Sequence, residues 1–234
     1  MSLDAITLDA AGTLVQVDWH PGRVAWESAE AIGLELDRET ATARFDRALH
    51  ARWKAYRDLN QTRDADALDA FWYDLGVSWL AEFGSENRAD AFRDAFWDAL
   101  YGPNQRIFRL FEDTLPALGA LKTQGIRLAV ISNWDYSLHR VLRQLGITPY
   151  FEVVLASLEE GVEKPEPGLF QVAMDRLGVK PQVTLHVGDD PVDDYQGAKT
   201  FGMRAALVDR SRTDPERPYI RDLTCIPEAI AWTG

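Results

Sequence analysis

Cysteine is almost missing from this chain of 234 residues: Cys225 stands alone. An intrachain disulfide and a cysteine-rich zinc site are therefore both excluded, and the lone thiol reads as structural. No uninterrupted apolar stretch nears the roughly 18 residues that a membrane-spanning helix needs. The opening MSLDAITLDA has neither the basic start nor the cleavage site of a secretory leader, so the expectation is a cytoplasmic protein without a membrane partner. Positive charge is also short, with 25 Lys and Arg against 37 Asp and Glu and a formal net charge of −12. Such a field repels polyanions and argues against nucleic acid as a partner; an anionic substrate has to be received by local positive charge. There is no internal repeat and no low-complexity tract. The four histidines, His20, His50, His139 and His186, lack paired metal spacing and read as structural.

What is present is the composition of a folded globular chain, 46% hydrophobic and 26% charged, in two alternating textures. Short apolar runs occur at AITLDA, ending in Asp9, at RLAVIS (127–132), VTLHV (183–187) and RAALV (204–208), with a weaker one at EVVLA (152–156). Helix-length patterns closed by glycine separate them: DYSLHRVLRQLG, PGLFQVAMDRLG and VDDYQGAKTFG. Strands alternating with helices predict a doubly wound, Rossmann-like α/β domain with a parallel sheet, made of residues 1–14 and 113–234. Between residues 15 and 112 β-branched runs vanish and apolar residues recur at helical spacing, near 22–33, 38–59, 65–83 and 87–101. This predicts an inserted all-helical domain, with Trp26, Trp53, Trp72, Trp79 and Trp97 as its core.

Four fragments carry candidate chemistry. LDAAGTL sets the carboxylate of Asp9 at a strand end before a Gly12-Thr13 turn, where ligands bind in open parallel sheets, although a strand-end Asp also serves as a simple turn cap. LAVISNWD supplies Ser132 and Asn133 at a strand-to-helix junction suited to an anion, with Asp135 as a helix cap. EKPEP holds Lys164 between Pro165 and Pro167, where an isolated lysine is ordinarily a surface charge. LHVGDDPVDD crowds Asp189, Asp190, Asp193 and Asp194, and a hard cation is the usual reason to gather so many carboxylates.

In this order the fragments resemble the four signature motifs of the haloacid dehalogenase superfamily, whose helical cap is inserted between the first and second. The resemblance implies Asp9 as the nucleophile that forms an aspartyl-phosphate, Ser132 as a ligand of the phosphoryl group, and Lys164 as the counter-charge. It implies Mg²⁺ held by Asp9, Asp189 and the main-chain carbonyl of Ala11, with Asp194 supporting or ligating directly. Gly12, Thr13, Ser132, Asn133 and Lys164 form the expected phosphate cradle, in which Thr13 orients Asp9 or merely satisfies its turn. A small anionic molecule is the implied partner of a monomer or homodimer.

One position departs from the pattern. Phosphatases of the superfamily place a second aspartate, their general acid, where this chain has Ala11. Three alternatives follow: a 2-haloacid dehalogenase, a phosphonoacetaldehyde hydrolase using Lys54 as a Schiff base, and a binding protein that has lost turnover. In the cap, Lys54, Arg57 and Arg63 are the candidate anion contacts, and Trp53, Tyr56 and Trp72 the candidate packing surfaces.

Overall fold

The computed structural model describes residues 3–59, 62–213 and 216–232. The chain divides into two compact units, Asp18–Phe108 and the paired segments Met1–Val17 and Arg109–Gly234. The first unit is built from helices α1 (Pro21–Ala31), α2 (Arg38–Ala51), α3 (Trp53–Leu59), α4 (Ala65–Ala81) and α5 (Ala89–Tyr101). Asp37 caps α2 by accepting the Thr40 N–H, and Asp64 caps α4 by accepting the Ala67 N–H, each at 2.9 Å. The core of this unit is aromatic. Trp79 is fully buried, lies 5.5 Å from Phe45 and 5.3 Å from Phe92 between ring centroids, and donates its indole N–H to the Ala41 carbonyl at 3.0 Å. Gly76 lets α4 approach the Phe92 ring, which a Cβ there would meet at 2.9 Å.

The second unit holds a six-stranded sheet in the order β5-β4-β1-β6-β7-β8. Its strands are β1 (Ala5–Leu8), β4 (Arg127–Ser132), β5 (Val153–Ala156), β6 (Thr184–Gly188), β7 (Arg204–Val208) and β8 (Tyr219–Ile220), and neighbouring strands pair in parallel throughout. The short β2 (Val15–Val17) and β3 (Phe108–Leu110) form a separate two-stranded sheet. Helices α6 (Thr114–Thr123), α7 (Ser137–Gln144), α8 (Ser157–Glu160), α9 (Pro167–Leu177), α10 (Gly197–Phe201) and α11 (Ile226–Ala231) complete the unit. Ala5, Ala129, Ile131 and Leu155 pack with Leu169, Phe170, Ala173 and Met174 of α9. Strand side chains alternate, so Ile6, Leu8, Leu128 and Val130 point the other way, and all four are fully buried as well. Both faces of the sheet are covered, which is why its strands read as continuous apolar runs.

The strand runs fall where the apolar patterns place them, RLAVIS and RAALV to the residue. Three features differ. The third expected helix of the α/β unit is a wide π-helical turn at Pro191–Gln196 followed by α10. The sixth strand, β8, spans only two residues, too short for a periodic pattern. Trp53 is not a core residue: it is 48% exposed, because the chain breaks after Ala51 and the short α3 that follows buries none of its residues. Among the described residues no helix is long and apolar enough to cross a membrane.

Removing the Trp79 ring leaves a large cavity, so Trp79→Ala should destabilise the helical unit by about 3–5 kcal/mol. Trp53→Ala should cost about 1 kcal/mol or less. Urea unfolding followed by far-UV circular dichroism compares them; equal costs would refute the assignment of the core.

Candidate active site

The register of the parallel sheet brings three strand ends level. Leu8 of β1 lies opposite Val130 of β4 and Val187 of β6, and β1 is the strand beyond which the chain changes direction across the sheet. Asp9 follows β1, Ser132 ends β4, and Asp189 follows Gly188 at the end of β6. Lys164, from the loop between α8 and α9, reaches into this point and is 3% exposed. Its ammonium donates to Asp9 Oδ1 at 2.6 Å and to Asp194 Oδ1 at 2.5 Å. The Ser132 hydroxyl also donates to Asp9 Oδ1, at 3.0 Å. Asp9 is thus held through one oxygen, and Oδ2 takes no hydrogen bond from the described residues.

The supporting contacts explain several residue choices. Asn133 brackets the main chain of Lys164: its Oδ1 accepts the Lys164 N–H at 2.7 Å and its Nδ2 donates to the Lys164 carbonyl at 2.8 Å. Asn133, expected at the phosphate, thus also places the lysine. Thr13 donates its hydroxyl to Asp189 Oδ1 at 3.0 Å, neither orienting Asp9 nor closing its own turn. The acidic cluster separates by role. Asp190 accepts the N–H groups of Val192 and Asp193, both at 2.7 Å, and so caps the wide turn. Asp193 accepts from Asn133, while Asp189 and Asp194 face the site. Gly188 has no substitute here, since a Cβ would collide with the Asp194 carboxylate; Gly12, at φ +76°, would strike Asp189 likewise.

His186, read from sequence as merely structural, is fully buried on β6 beside this cluster. Its Nε2 lies 3.0 Å from Asp194 Oδ1, and the Thr7 hydroxyl lies 2.8 Å from its Nδ1. Asp194 also accepts the Asp190 N–H on Oδ2 at 3.0 Å. A histidine at alternate spacing in a buried strand carries no sign of this in sequence. Asp135 accepts the Ser137 N–H at 2.8 Å, one residue outside the α7 cap itself. Ala11 is exposed. In the helical unit Lys54 is 88% exposed and pairs with Asp58 at 2.7 Å, and Arg57 and Arg63 are also exposed.

A family model described as haloacid dehalogenase-like hydrolase matches residues 3–202. The chain belongs to that family. It is 28% identical to haloacid dehalogenase-like hydrolase domain-containing protein 3 of Mus musculus, over 95% of this chain and 87% of that one, the group that LAVISNWD and HVGDDPVDDYQGAKTFGM resemble. It is 33% identical to a phosphoserine phosphatase of Thermus thermophilus over 65% of this chain and 67% of the relative. Among solved structures, a 2-haloacid dehalogenase from Pseudomonas syringae superposes with a TM-score of 0.65 at 27% identity, covering 98% of both chains. The chain is a hydrolase of the haloacid dehalogenase-like family.

The charges of this hydrolase site do not balance among themselves. Carboxylate oxygens of Asp9, Asp189 and Asp194 lie within 4.8 Å of one another, with one buried ammonium between them. Such a set of hard oxygen donors fits Mg²⁺ better than a soft or nitrogen-seeking metal. Without a cation, burial pushes Asp9 from 3.8 up to about 7; Lys164 opposes the rise and Asp194 adds to it. Asp194 is also desolvated, but Lys164 and His186 outweigh that and hold it well below the carboxylate range. Burial pulls Lys164 down, yet its two carboxylates keep it firmly protonated. Burial is also the main reason that His186 sits below its ordinary value.

A raised carboxyl makes the folded state bind protons that the unfolded state has released, so this group's contribution to stability falls as pH rises from 3.8 to about 7. Asp9→Asn removes that fall, while the opposing slope from His186 remains in both proteins. In a chelator, the melting temperature of Asp9→Asn minus that of the parent should therefore climb across this window and level off above it. A difference that stays flat with pH would refute the strained, metal-free Asp9.

Proposed function

We propose that the chain is a Mg²⁺-dependent phosphatase acting in the cytoplasm on a small phosphorylated metabolite through an aspartyl-phosphate at Asp9. The observation that carries this reading is the buried Lys164 ammonium shared by Asp9 and Asp194 with Ser132 on the same Asp9 oxygen. One carboxylate oxygen is fixed and the other is left to act. The Asp9 carboxylate attacks phosphorus, the ester P–O bond breaks with its electron pair going to the leaving oxygen, and water then cleaves the acyl phosphate to restore the carboxylate. Ser132 and Lys164 donate to the phosphoryl oxygens as charge gathers on them. Asp9, Asp189 and the Ala11 carbonyl would hold Mg²⁺, which when bound supplies further neutralisation of that charge. Asp194 supports from behind, since both of its oxygens already serve Lys164, His186 and Asp190. The helical unit is the cap in this reading, with Lys54 and Arg57 as anion contacts.

Ala11 sets a condition on the substrate. A methyl group cannot protonate a departing alkoxide, and a positioned acid is worth about 10²–10⁴-fold. Leaving groups that depart as stable anions suit the site best. Ala11 and the 27% identity to a 2-haloacid dehalogenase favour one second reading, in which Asp9 attacks carbon and halide leaves without a proton. A Schiff base at Lys54 has less support, because an amine nucleophile needs desolvation and this one is exposed and ion-paired.

A panel of phosphate monoesters, acyl phosphates and 2-haloacids, assayed with Mg²⁺ and with chelator, tests the proposal. Mg²⁺-dependent phosphate release that is lost in Asp9→Asn is the expected result; halide release that persists in chelator would replace the phosphatase by the dehalogenase. Tight phosphate and Mg²⁺ binding with no turnover on any member would mark a binding protein. Within the phosphatase reading, Ala11→Asp should accelerate alkyl phosphates by up to about 10²-fold while gaining much less on aryl or acyl phosphates. An equal gain on both classes would refute the missing acid.

A further inference from the structure

We infer that Arg210 is a positioning residue for the Asp9 loop, clamping the turn that follows the nucleophile. Arg210 lies just beyond β7 and carries no motif. Its guanidinium donates through Nη1 to the Gly12 carbonyl at 3.0 Å and through Nη2 to the Thr13 carbonyl at 2.8 Å. The same group meets Asp113 in two parallel bonds, Nε to Oδ1 at 3.0 Å and Nη2 to Oδ2 at 2.8 Å. Its face lies on the Phe111 ring, 3.5 Å from the centroid. Only a planar fork of N–H donors can make this set of contacts; a lysine keeps the charge and loses the geometry.

The clamp reaches the chemistry through two short paths. Leu14 and Val15 return their N–H groups to the Ala10 carbonyl at 2.9 and 2.8 Å, closing a turn directly after Asp9. Fixing the Gly12 and Thr13 carbonyls therefore fixes the closed form of that turn. Thr13, with its main chain held by Arg210, turns its hydroxyl to Asp189, so the separation of the nucleophile loop from Asp189 is set through Thr13. Asp113 holds the clamp in its turn: its Oδ2 also accepts the Leu223 N–H at 2.8 Å. The next residue, Thr114, donates its hydroxyl to the Leu14 carbonyl at 2.9 Å. Three successive carbonyls of the loop, those of Gly12, Thr13 and Leu14, are thereby tied to the segment that re-enters the α/β unit and to the end of β7.

The kinetic arm of the test rests on the phosphatase reading; the exchange arm does not. In Arg210→Lys, amide hydrogen exchange of the peptide covering residues 10–15 should quicken by about tenfold or more while that of β4 is unchanged. With p-nitrophenyl phosphate and Mg²⁺, kcat should fall by about 10–100-fold with KM within about threefold, since the residue places the loop and does not touch substrate. Asp113→Asn, which weakens the hold on the guanidinium, should move the same peptide in the same direction by less, and it carries the test if Arg210→Lys does not fold. Unchanged exchange at residues 10–15 in a folded variant overturns the clamp. Faster exchange with unchanged kcat overturns its role in the reaction. If the parent hydrolyses no phosphate ester, exchange alone decides the clamp, and that failure falls on the phosphatase reading.

Discussion

One buried ammonium organises the centre of this protein. Lys164 lies within ion-pair distance of both Asp9 and Asp194, and all three are almost wholly withdrawn from water. Taking such charges out of water costs several kcal/mol each, and their mutual attraction repays this only when geometry is tight and the remaining donors and acceptors are satisfied. The surrounding residues meet that demand. Asn133 fixes both main-chain groups of the lysine, His186 and the Asp190 N–H occupy Asp194, and Ser132 shares Asp9. A site assembled in this way is specified by mutual satisfaction rather than by any single strong contact.

The same arrangement explains why fold and site cannot be varied separately. Parallel pairing in register sets Leu8, Val130 and Val187 side by side, which delivers Asp9, Ser132 and Asp189 to one edge of the sheet without further adjustment. Gly188 and Gly12 then permit the carboxylates to approach backbone that any side chain would block. The Arg210–Asp113 pair holds the carbonyls of Gly12 and Thr13. The Asp9 loop is tied to Arg210 through two carbonyls and to Asp189 through the Thr13 hydroxyl, and the sheet fixes its origin.

Much of this was legible in the sequence, and for a physical reason. A strand buried on both faces must be apolar throughout, so the runs ending at Asp9, Ser132 and Gly188 announce both the sheet and the edge where polar residues first become possible. The helical spacing of aromatic residues in α4 and α5 marks the aromatic core in the same way, although of the tryptophans expected there Trp79 alone is fully buried and Trp26, Trp72 and Trp97 are half-buried. What was not legible depends on partners distant in sequence. Lys164 by itself looks like a solvated loop lysine, singled out only by the order of the four motifs, until Asp9 and Asp194 are brought to it across 155 and 30 residues. Arg210 meets Gly12 and Thr13 across nearly the whole chain, and Asn133 carries one of the few side chains able to accept and donate to the same peptide segment. His186 sits where a strand pattern calls for an apolar residue. Trp53 misleads in the opposite sense, since a break of one residue between α2 and α3 turns its ring outward.

Global and local charge pull in opposite directions in this molecule. At −12 the surface repels an anionic substrate at long range, but at physiological ionic strength that repulsion is screened over about 8 Å. Inside the site screening is weak, and in the proposed reading the balance among Lys164, the three carboxylates and a divalent cation would decide whether an anion is accepted. Without the cation the carboxylates outnumber the ammonium, and burial, opposed by Lys164 and reinforced by Asp194, raises Asp9 towards neutrality. A cation that offsets this excess would lower Asp9 again and make the mouth of the site attractive to phosphate in the same step. In the proposed phosphatase, metal binding, activation of Asp9 and anion acceptance would then be one electrostatic event, coupled by the acidity of the cluster, which looks unsuited to an anionic substrate.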